Sequence, residues 1–569
     1  VAMDGVEPKR ARAGHGLAFG MLRLIGSPVF WLSAFVAFVL AGLALPLRLP
    51  LGPNYWDTAV YLDAVQRIRM GQVPSIDFFA PVGPLGYYLT TGLEALFPQA
   101  QPMLLVNWAV LPVALPLLAL LTAHVGHRSR AQALLLLLPF LLFASLPVNL
   151  HGLYPMPGFD GYGHYNRHVS LLLYVLIAAL LFVRNRRLLN GMVAALMLAL
   201  FLVKITGAVT GTILVGYAML AGRMRIRDVA VAAGLVLVVL AVLDLATGVV
   251  RAYLADILTL LGLNTGELLP RFLTVASVKF NVVGPGLLLL AVLAFAAWRE
   301  RVPFSLAGLR ALLAAPLGWF AAALFALTFF ETQNTGSLEF IGLWPIVLLV
   351  LLGSWGRRDR LSQVVLVLAL AVSLPTALIF TQRAARAALG GLSYTSLKLP
   401  DLGPLGRVSL KPDIAERAVG MLEHYAGQQE SYRDLVRRNL LPSYILYSEI
   451  DYQATWLLEV QQGVTALRAW EAANKRRLES LFTLDFVDPF NYLLDRRPTP
   501  NTPIGIDPRR STPDIDQPTL EGLNQADAIL EPKCPPTTAR TAITQHFAEA
   551  LKGRRLVALA PCWDMYLKE

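Results

Sequence analysis

The sequence predicts a polytopic α-helical membrane protein, with about 11 transmembrane helices followed by a C-terminal α/β domain, on three observations. Of its 569 residues, 56% are hydrophobic and 15% charged, where a soluble domain carries roughly a quarter charged. The apolar surplus must face lipid. Apolar runs close to the ~20 residues that cross a bilayer core recur from Pro28 to Phe380 and then stop. Short Arg clusters stand between alternate runs, so that placing every cluster on one side gives a path in which each crossing changes sides.

The first expected helix covers residues 28–47, preceded by Lys9, Arg10, Arg12 and Arg23. It is too long for a cleaved signal peptide and reads as an uncleaved span, with its N-terminus cytoplasmic. A long outer loop, 48–102, follows. Helices at 103–124 and 131–149 turn around His127, Arg128 and Arg130. A second outer loop, 150–168, leads to a helix at 169–183 that ends at Arg184, Arg186 and Arg187. The next cluster is Arg223, Arg225 and Arg227, and both clusters stay inside only if two short helices, 189–203 and 205–221, meet as a hairpin near Lys204. Beyond a helix at 229–248, residues 249–281 are patterned as amphipathic helices lying along the surface. Spans at 282–297 and 309–330, a return to Arg357, Arg358 and Arg360, and a last span at 361–380 complete the membrane half.

This path puts residues 381–569 outside. With a bacterial-type composition, that means a multi-pass protein of the inner membrane with a periplasmic C-terminal domain. Strand-like stretches at 481–487, 502–506, 526–530 and 556–560 alternate with helical patterns at 413–425 and 453–482, the signature of an α/β domain, and proline-rich 497–518 reads as loop. Cys534 and Cys562 are the only cysteines. In an oxidising compartment they can form one disulfide; the alternative is two buried thiols. Walker, zinc-spacing and Rossmann motifs are missing, so nucleotide chemistry has no support. The net charge of +11 sits largely in the short clusters, without a basic stripe interleaved with aromatics, so nucleic acid is not an expected partner.

The polar residues that could carry chemistry fall in the outer loops. Asp57 stands just before an amphipathic stretch at 58–70, where a carboxylate can serve as a general base or simply cap the helix. Asp160, His164, Tyr165, Asn166, Arg167 and His168 precede the fourth helix. Arg167 suits phosphate oxygens, or else snorkels to the interface. His164 and His168 lack a defined carboxylate partner for a metal site, so a divalent metal is conceivable without support. Lys204 interrupts apolar sequence, where an ammonium needs a partner: a lipid phosphate, or a helix-end carboxylate such as Asp244. The polar turn Glu331, Thr332, Gln333, Asn334 faces the same side and could touch sugar hydroxyls.

In the first loop, Tyr55, Trp56 and Asp57 are followed by Gly71, Pro74, Asp77 and Phe78, then Pro84, Leu85, Tyr87 and Tyr88. This run resembles the first outer loop of GT-C glycosyltransferases of the protein O-mannosyltransferase and lipid A aminoarabinose transferase type. The string at 165–168 resembles a corresponding loop in some bacterial members. Val82 and Gly83 stand where relatives commonly carry His or Lys. The resemblance implies a GT-C-like membrane domain, 1–380, and inverting transfer of one sugar from a polyprenyl-phosphate donor to an envelope glycan, lipid or protein. Asp57 is the matched base and Asp77 the second catalytic candidate, unless Asp77 only anchors its loop. Arg167, Lys204 and His168 are expected at the donor phosphate, and Tyr55, His164, Asn166, Glu331, Gln333 and Asn334 at substrate. Two other classes stay open. A transporter or lipid flippase predicts matched discontinuous helices in related halves, and an envelope assembly protein predicts no link between these loops and a lipid phosphate.

Overall fold

The computed structural model describes residues 25–150, 157–263, 268–300, 305–332, 338–441, 450–508 and 510–569. The N-terminal basic residues, Gln333 and Asn334 lie outside them. By length and composition, five described helices can cross a membrane: His164–Phe182, Arg186–Val203, Ile226–Thr247, Phe280–Arg299 and Arg360–Gly391. Two bent pairs qualify if each counts as one span: Pro102–Trp108 with Leu111–Gly126, bent by 42°, and Leu306–Ala314 with Pro316–Thr332, bent by 64°. The second bend has a local cause, since Ala315 is extended at ψ 161° ahead of Pro316, as proline disfavours helix in the residue before it. Where about 11 spans were expected, the remaining apolar helices are shorter: Pro28–Ala44, Arg130–Ala144, Ile205–Leu220, Leu268–Val278 and Ile341–Ser354.

Burial ranks these helices. The most apolar stretch of His164–Phe182 is 83% buried, against 11% for Ile226–Thr247, so the first is the central post and the second faces outward on nearly every side. The post therefore carries its polar start, His164 to His168, into the middle of the molecule.

The expected break at Lys204 is present. Arg186–Val203 and Ile205–Leu220 meet at a fully extended Lys204, φ −164° and ψ 130°. The backbone groups released by the break find partners, as they must away from water: Val203 O accepts from Gly83 N at 3.0 Å, and Ile205 N donates to the Tyr253 hydroxyl at 3.0 Å. Position 83 has to be glycine for this approach, because a Cβ there would lie 2.2 Å from Leu202 O.

The expected last span is longer than its apolar run. Arg360–Gly391 continues past Phe380 through Ala-rich sequence and stops only near Gly390 and Gly391, where helix propensity finally falls. Beyond it, β2 (Thr395–Ser396) and β3 (Val408–Leu410) form a three-stranded sheet with β1 (Leu49–Pro50) in the order β1-β3-β2, with β1 parallel to β3. The start of the first loop is thus stitched to the chain beyond the last helix.

The C-terminal part is the expected α/β arrangement in outline, with corrected boundaries. Helix Ile450–Asn474 ends well before 482, since Lys475 turns left-handed at φ 49°. Strand β4 (Ser480–Thr483) is shorter than 481–487, and residues 502–506 are loop: Gly505 sits at φ 66° and Ile504 N bonds to Phe79 O of the first loop instead of to a strand. Strands β5 (Arg497–Pro498), β6 (Ala528–Pro532), β7 (Arg555–Ala560) and β8 (Trp563–Leu567) complete a sheet of order β5-β4-β6-β8-β7, parallel across β5-β4-β6 and antiparallel beyond. Cys534 and Cys562 are joined in a disulfide across the ends of β6 and β8, with Cα atoms 5.1 Å apart.

This domain grips the first loop through helix Asp57–Arg69. Arg67 is 1% exposed. It donates to Asp63 at 3.0 Å, Thr499 O at 2.9 Å and Thr502 Oγ1 at 3.0 Å, and covers the Phe78 ring at 5.1 Å. Trp56 packs edge-on against Tyr452 and Trp456.

Candidate active site

Two loops are zipped together by backbone to make the site. Phe159 N donates to Pro50 O at 3.0 Å, Gly161 N to Pro53 O at 3.1 Å, and Leu51 bridges to Phe159 in parallel register. The chains run so close that a Cβ at Gly52 would lie 2.0 Å from Phe159 O, and one at Gly161 2.5 Å from Asn54 O. The consequence is local: helix Asp57–Arg69 and helix His164–Phe182 begin side by side, and Asp57 Oδ2 accepts from Gly163 N at 3.4 Å.

The two starts border a cavity of about 240 Å³ lined by Asp57, Tyr61, Pro81, Tyr87, His164, Tyr165 and Asn166. Phe486, Gly505, Arg510 and Ser511 of the C-terminal domain close it. The helices Asp57–Arg69 and His164–Phe182 thus present N-terminal ends here, each worth roughly half a positive charge. Lys204 lies just behind the wall, donating to Asn166 Oδ1 at 3.1 Å and sitting 4.4 Å over the Tyr165 ring. Glu331, itself buried, is within its electrostatic reach. Asp244, one partner considered for Lys204, is instead paired at 3.3 Å with Arg251, seven residues on, in the helix that follows.

Asp57 is buried, and its Oδ1 finds no partner among the described residues; the same holds for Tyr61 OH, Asn54 Oδ1 and Arg167 Nε and Nη1. A buried polar atom left unpaired costs about 1–3 kcal/mol, so this set is primed for something the protein alone does not provide. Burial pushes the Asp57 carboxyl up to about 7, opposed by the Gly163 N–H and then by the charges of Arg510 and Arg167. At neutral pH it is therefore poised between accepting and releasing a proton. Asp160 is raised to about 6 by burial, against the Asn149 N–H, which donates to its Oδ2 at 2.7 Å.

Arg167 is held by its remaining nitrogen. Nη2 donates to Asp160 O at 3.1 Å and to His164 Nδ1 at 2.9 Å. That leaves the imidazole proton on Nε2, facing Thr58 Oγ1 at 3.4 Å.

Other expected site residues lie elsewhere. Tyr55 is fully buried away from the cavity, its hydroxyl donating to Leu405 O at 2.8 Å and accepting from Gln101 at 3.2 Å. Asp77 turns inward on its own loop, Oδ2 accepting from Val73 N at 2.7 Å. His168 Nε2 donates to Val106 O at 2.9 Å. Among the described residues no group of three or more His, Cys, Asp or Glu is placed to hold a metal ion.

What the sequence did not single out is the C-terminal contribution. Arg510 reaches the cavity from a loop in which Asp507 Oδ2 accepts from its Nε at 2.8 Å. Only the proline-rich character of 497–518 signalled a loop, and nothing in it signalled where the loop would land.

No family model matches the chain, and no curated protein matches it. Among solved structures it is similar to ArnT from Cupriavidus metallidurans in the apo state, with a TM-score of 0.40 and 14% identity over 95% of this chain and 98% of that one. The same protein bound to undecaprenyl phosphate gives a TM-score of 0.38 and 14% identity. The archaeal oligosaccharyltransferase AglB from Archaeoglobus fulgidus, in complex with an inhibitory peptide and a dolichol-phosphate, gives 0.28 and 11% identity over 93% of this chain and 73% of that one. These likenesses are loose, and the case for a function rests on the cavity.

Proposed function

We propose that the protein is a glycosyltransferase that takes a sugar from a polyprenyl-phosphate carrier and passes it, with inversion, to an envelope acceptor on the periplasmic face of the bacterial inner membrane. The acceptor hydroxyl oxygen attacks the anomeric carbon on the side opposite the phosphate. The bond from that carbon to the phosphate oxygen breaks, polyprenyl phosphate leaves with the electron pair, and the hydroxyl proton passes to Asp57. Arg510 at the cavity wall, with Lys204 and Arg167 behind it and two helix N-termini beside it, offsets the charge that gathers on the leaving phosphate.

The observation that carries this reading is Asp57 itself: a buried carboxylate with one oxygen unpartnered among the described residues, facing a cavity with cations around it. A helix cap alone would spend that oxygen on backbone N–H groups. The test has two arms. Mass spectrometry of lipids that copurify with the wild-type protein should find polyprenyl-phosphate sugars, and Asp57→Asn should abolish transfer from such a lipid in reconstituted vesicles. Full transfer by the variant would remove Asp57 as base, and no carrier lipid or transfer in the wild type would remove the reaction.

A further inference from the structure

A second cavity, about 370 Å³, backs onto the first. The same two stretches of chain divide them. Pro81 faces the first cavity and Phe79 the second; Arg510 and Ser511 face the first, Thr512 and Pro513 the second. The third side comes from helix Val249–Leu263, through Asp256 and Thr259. That helix shows Leu254, Leu258 and Leu261 outward, at 43%, 69% and 64% exposure, the apolar face of a helix lying along a membrane surface.

The two cavities differ in charge. Lining the second are Asp256, Asp514 and Asp516, with no Lys or Arg among its described lining residues. Asp516 is spent capping the next helix, Oδ1 accepting from Thr519 N at 2.9 Å. Asp256 is not spent in this way. It is 9% exposed, and among the described residues its hydrogen-bonding neighbours are the Ser75 hydroxyl and Ala80 N, the latter at a long 3.4 Å from Oδ2. Burial pushes it up to about 7, with no cation among the causes. Burying a carboxylate without a cation or a full set of donors is costly, and a ligand carrying O–H or N–H groups would relieve that cost. Asn501 and Thr259 add polar atoms on facing walls, and Phe79 and Phe547 add apolar faces. Hydroxyls for the carboxylate and a C–H face for the rings describe a sugar; His546 also lines the cavity, its Nε2 engaged with Pro513 O at 3.1 Å, and the lack of Lys or Arg among the described lining residues disfavours a phosphate.

We propose that this second cavity binds the acceptor through a hydroxyl-rich sugar ring, neutral or amine-bearing, and discriminates against phosphorylated rings. The word acceptor rests on the glycosyltransferase reading; the ring site rests on the cavity's own lining. Saturation-transfer NMR on the full-length protein in detergent, with glucosamine, glucose and glucose 6-phosphate as probes, tests it. Glucosamine should respond most and glucose 6-phosphate least, and Asp256→Asn should lower the glucosamine response about tenfold, the effect of one lost charge-assisted hydrogen bond. Asp57→Asn should leave that response unchanged, and matching melting curves establish that each variant is folded. No glucosamine response in the wild type, an unchanged response in Asp256→Asn, or an equal response to glucose 6-phosphate would overturn the proposal. Should the wild type show neither carrier lipid nor transfer while glucosamine binding still depends on Asp256, the reaction falls and the ring site stands. The opposite pair of results keeps the reaction and removes the ring site.

Discussion

Two buried carboxylates in this molecule are both raised to about 7 by burial, Asp57 at the first cavity and Glu459 inside the C-terminal domain, yet their surroundings differ completely. Glu459 is satisfied from every side. Oε2 accepts from Arg540 Nη2 at 2.8 Å, Oε1 from Cys534 N at 2.9 Å and from Arg540 Nη1 at 3.2 Å, and Asp485 shares the same guanidinium at 2.8 Å. Asp57 has one long bond from Gly163 and one oxygen with no partner among the described residues. Equal burial with opposite satisfaction separates a structural knot from a site: the first holds protein to protein, while the second keeps valence for a ligand.

Mutation should sharpen that contrast. The largest effect falls on Asp57→Asn, for which sugar transfer drops by about 10²–10⁴-fold, measured by product formation at matched protein levels. Its melting temperature should not fall. Next, Arg540→Met leaves Glu459 and Asp485 buried without their cation and should cost about 3–5 kcal/mol of stability, read from denaturant unfolding of the detergent-solubilised protein. Turnover per folded molecule should be unchanged. If Arg540→Met instead lost turnover with full stability, the knot would belong to the catalytic machinery and the comparison would break.

Removing the nearby disulfide by Cys534→Ala with Cys562→Ala should cost about 3 kcal/mol in the same unfolding measurement, for a loop with a sequence separation of 28. Arg510→Gln comes next, with about a tenfold rise in KM for the carrier lipid and little change in melting, since its side chain is exposed.

The smallest effect concerns pH. Asp57 is protonated more readily folded than unfolded, so its contribution to stability is present below about pH 4 and fades as pH climbs toward about 7. The rate should move the opposite way, declining on the acid side of about pH 7 as the base is protonated. In Asp57→Asn the stability difference from wild type should therefore widen in the variant's favour as pH rises from about 4 to about 7 and level off above that. A wild-type stability that rises between pH 4 and 7 by the amount Asp57→Asn lacks would reverse the sign and refute the assigned environment.

The sequence was legible where one chemical signal acts locally. Lys204 in an apolar run had to mark a break, because an ammonium and freed backbone groups are tolerated at depth only with partners, and the partners turned out to be Asn166, Tyr165 and the Gly83 loop. The stretch after Asp57 had to be a helix with a buried face. The lining was less legible. Tyr55 and Asp77 sit within the same motif as Asp57, and nothing in their spacing reveals that one reaches Leu405 and the other caps its own turn. Arg510 lies far along the chain in a proline-rich loop, and its arrival depends on Arg67 and Gln66 gripping residues 495–502. Such long-range docking leaves no periodicity in either partner.

Residues 510–513 are one continuous piece of chain whose neighbouring residues face different cavities, Arg510 and Ser511 the first, Thr512 and Pro513 the second. A ligand that shifts it on one side must change the space offered on the other, so occupancy of the two is linked, and linkage is reciprocal in free energy. Whatever tightens the second cavity's hold on its ligand by filling the first must in turn be held more tightly itself, by the same factor.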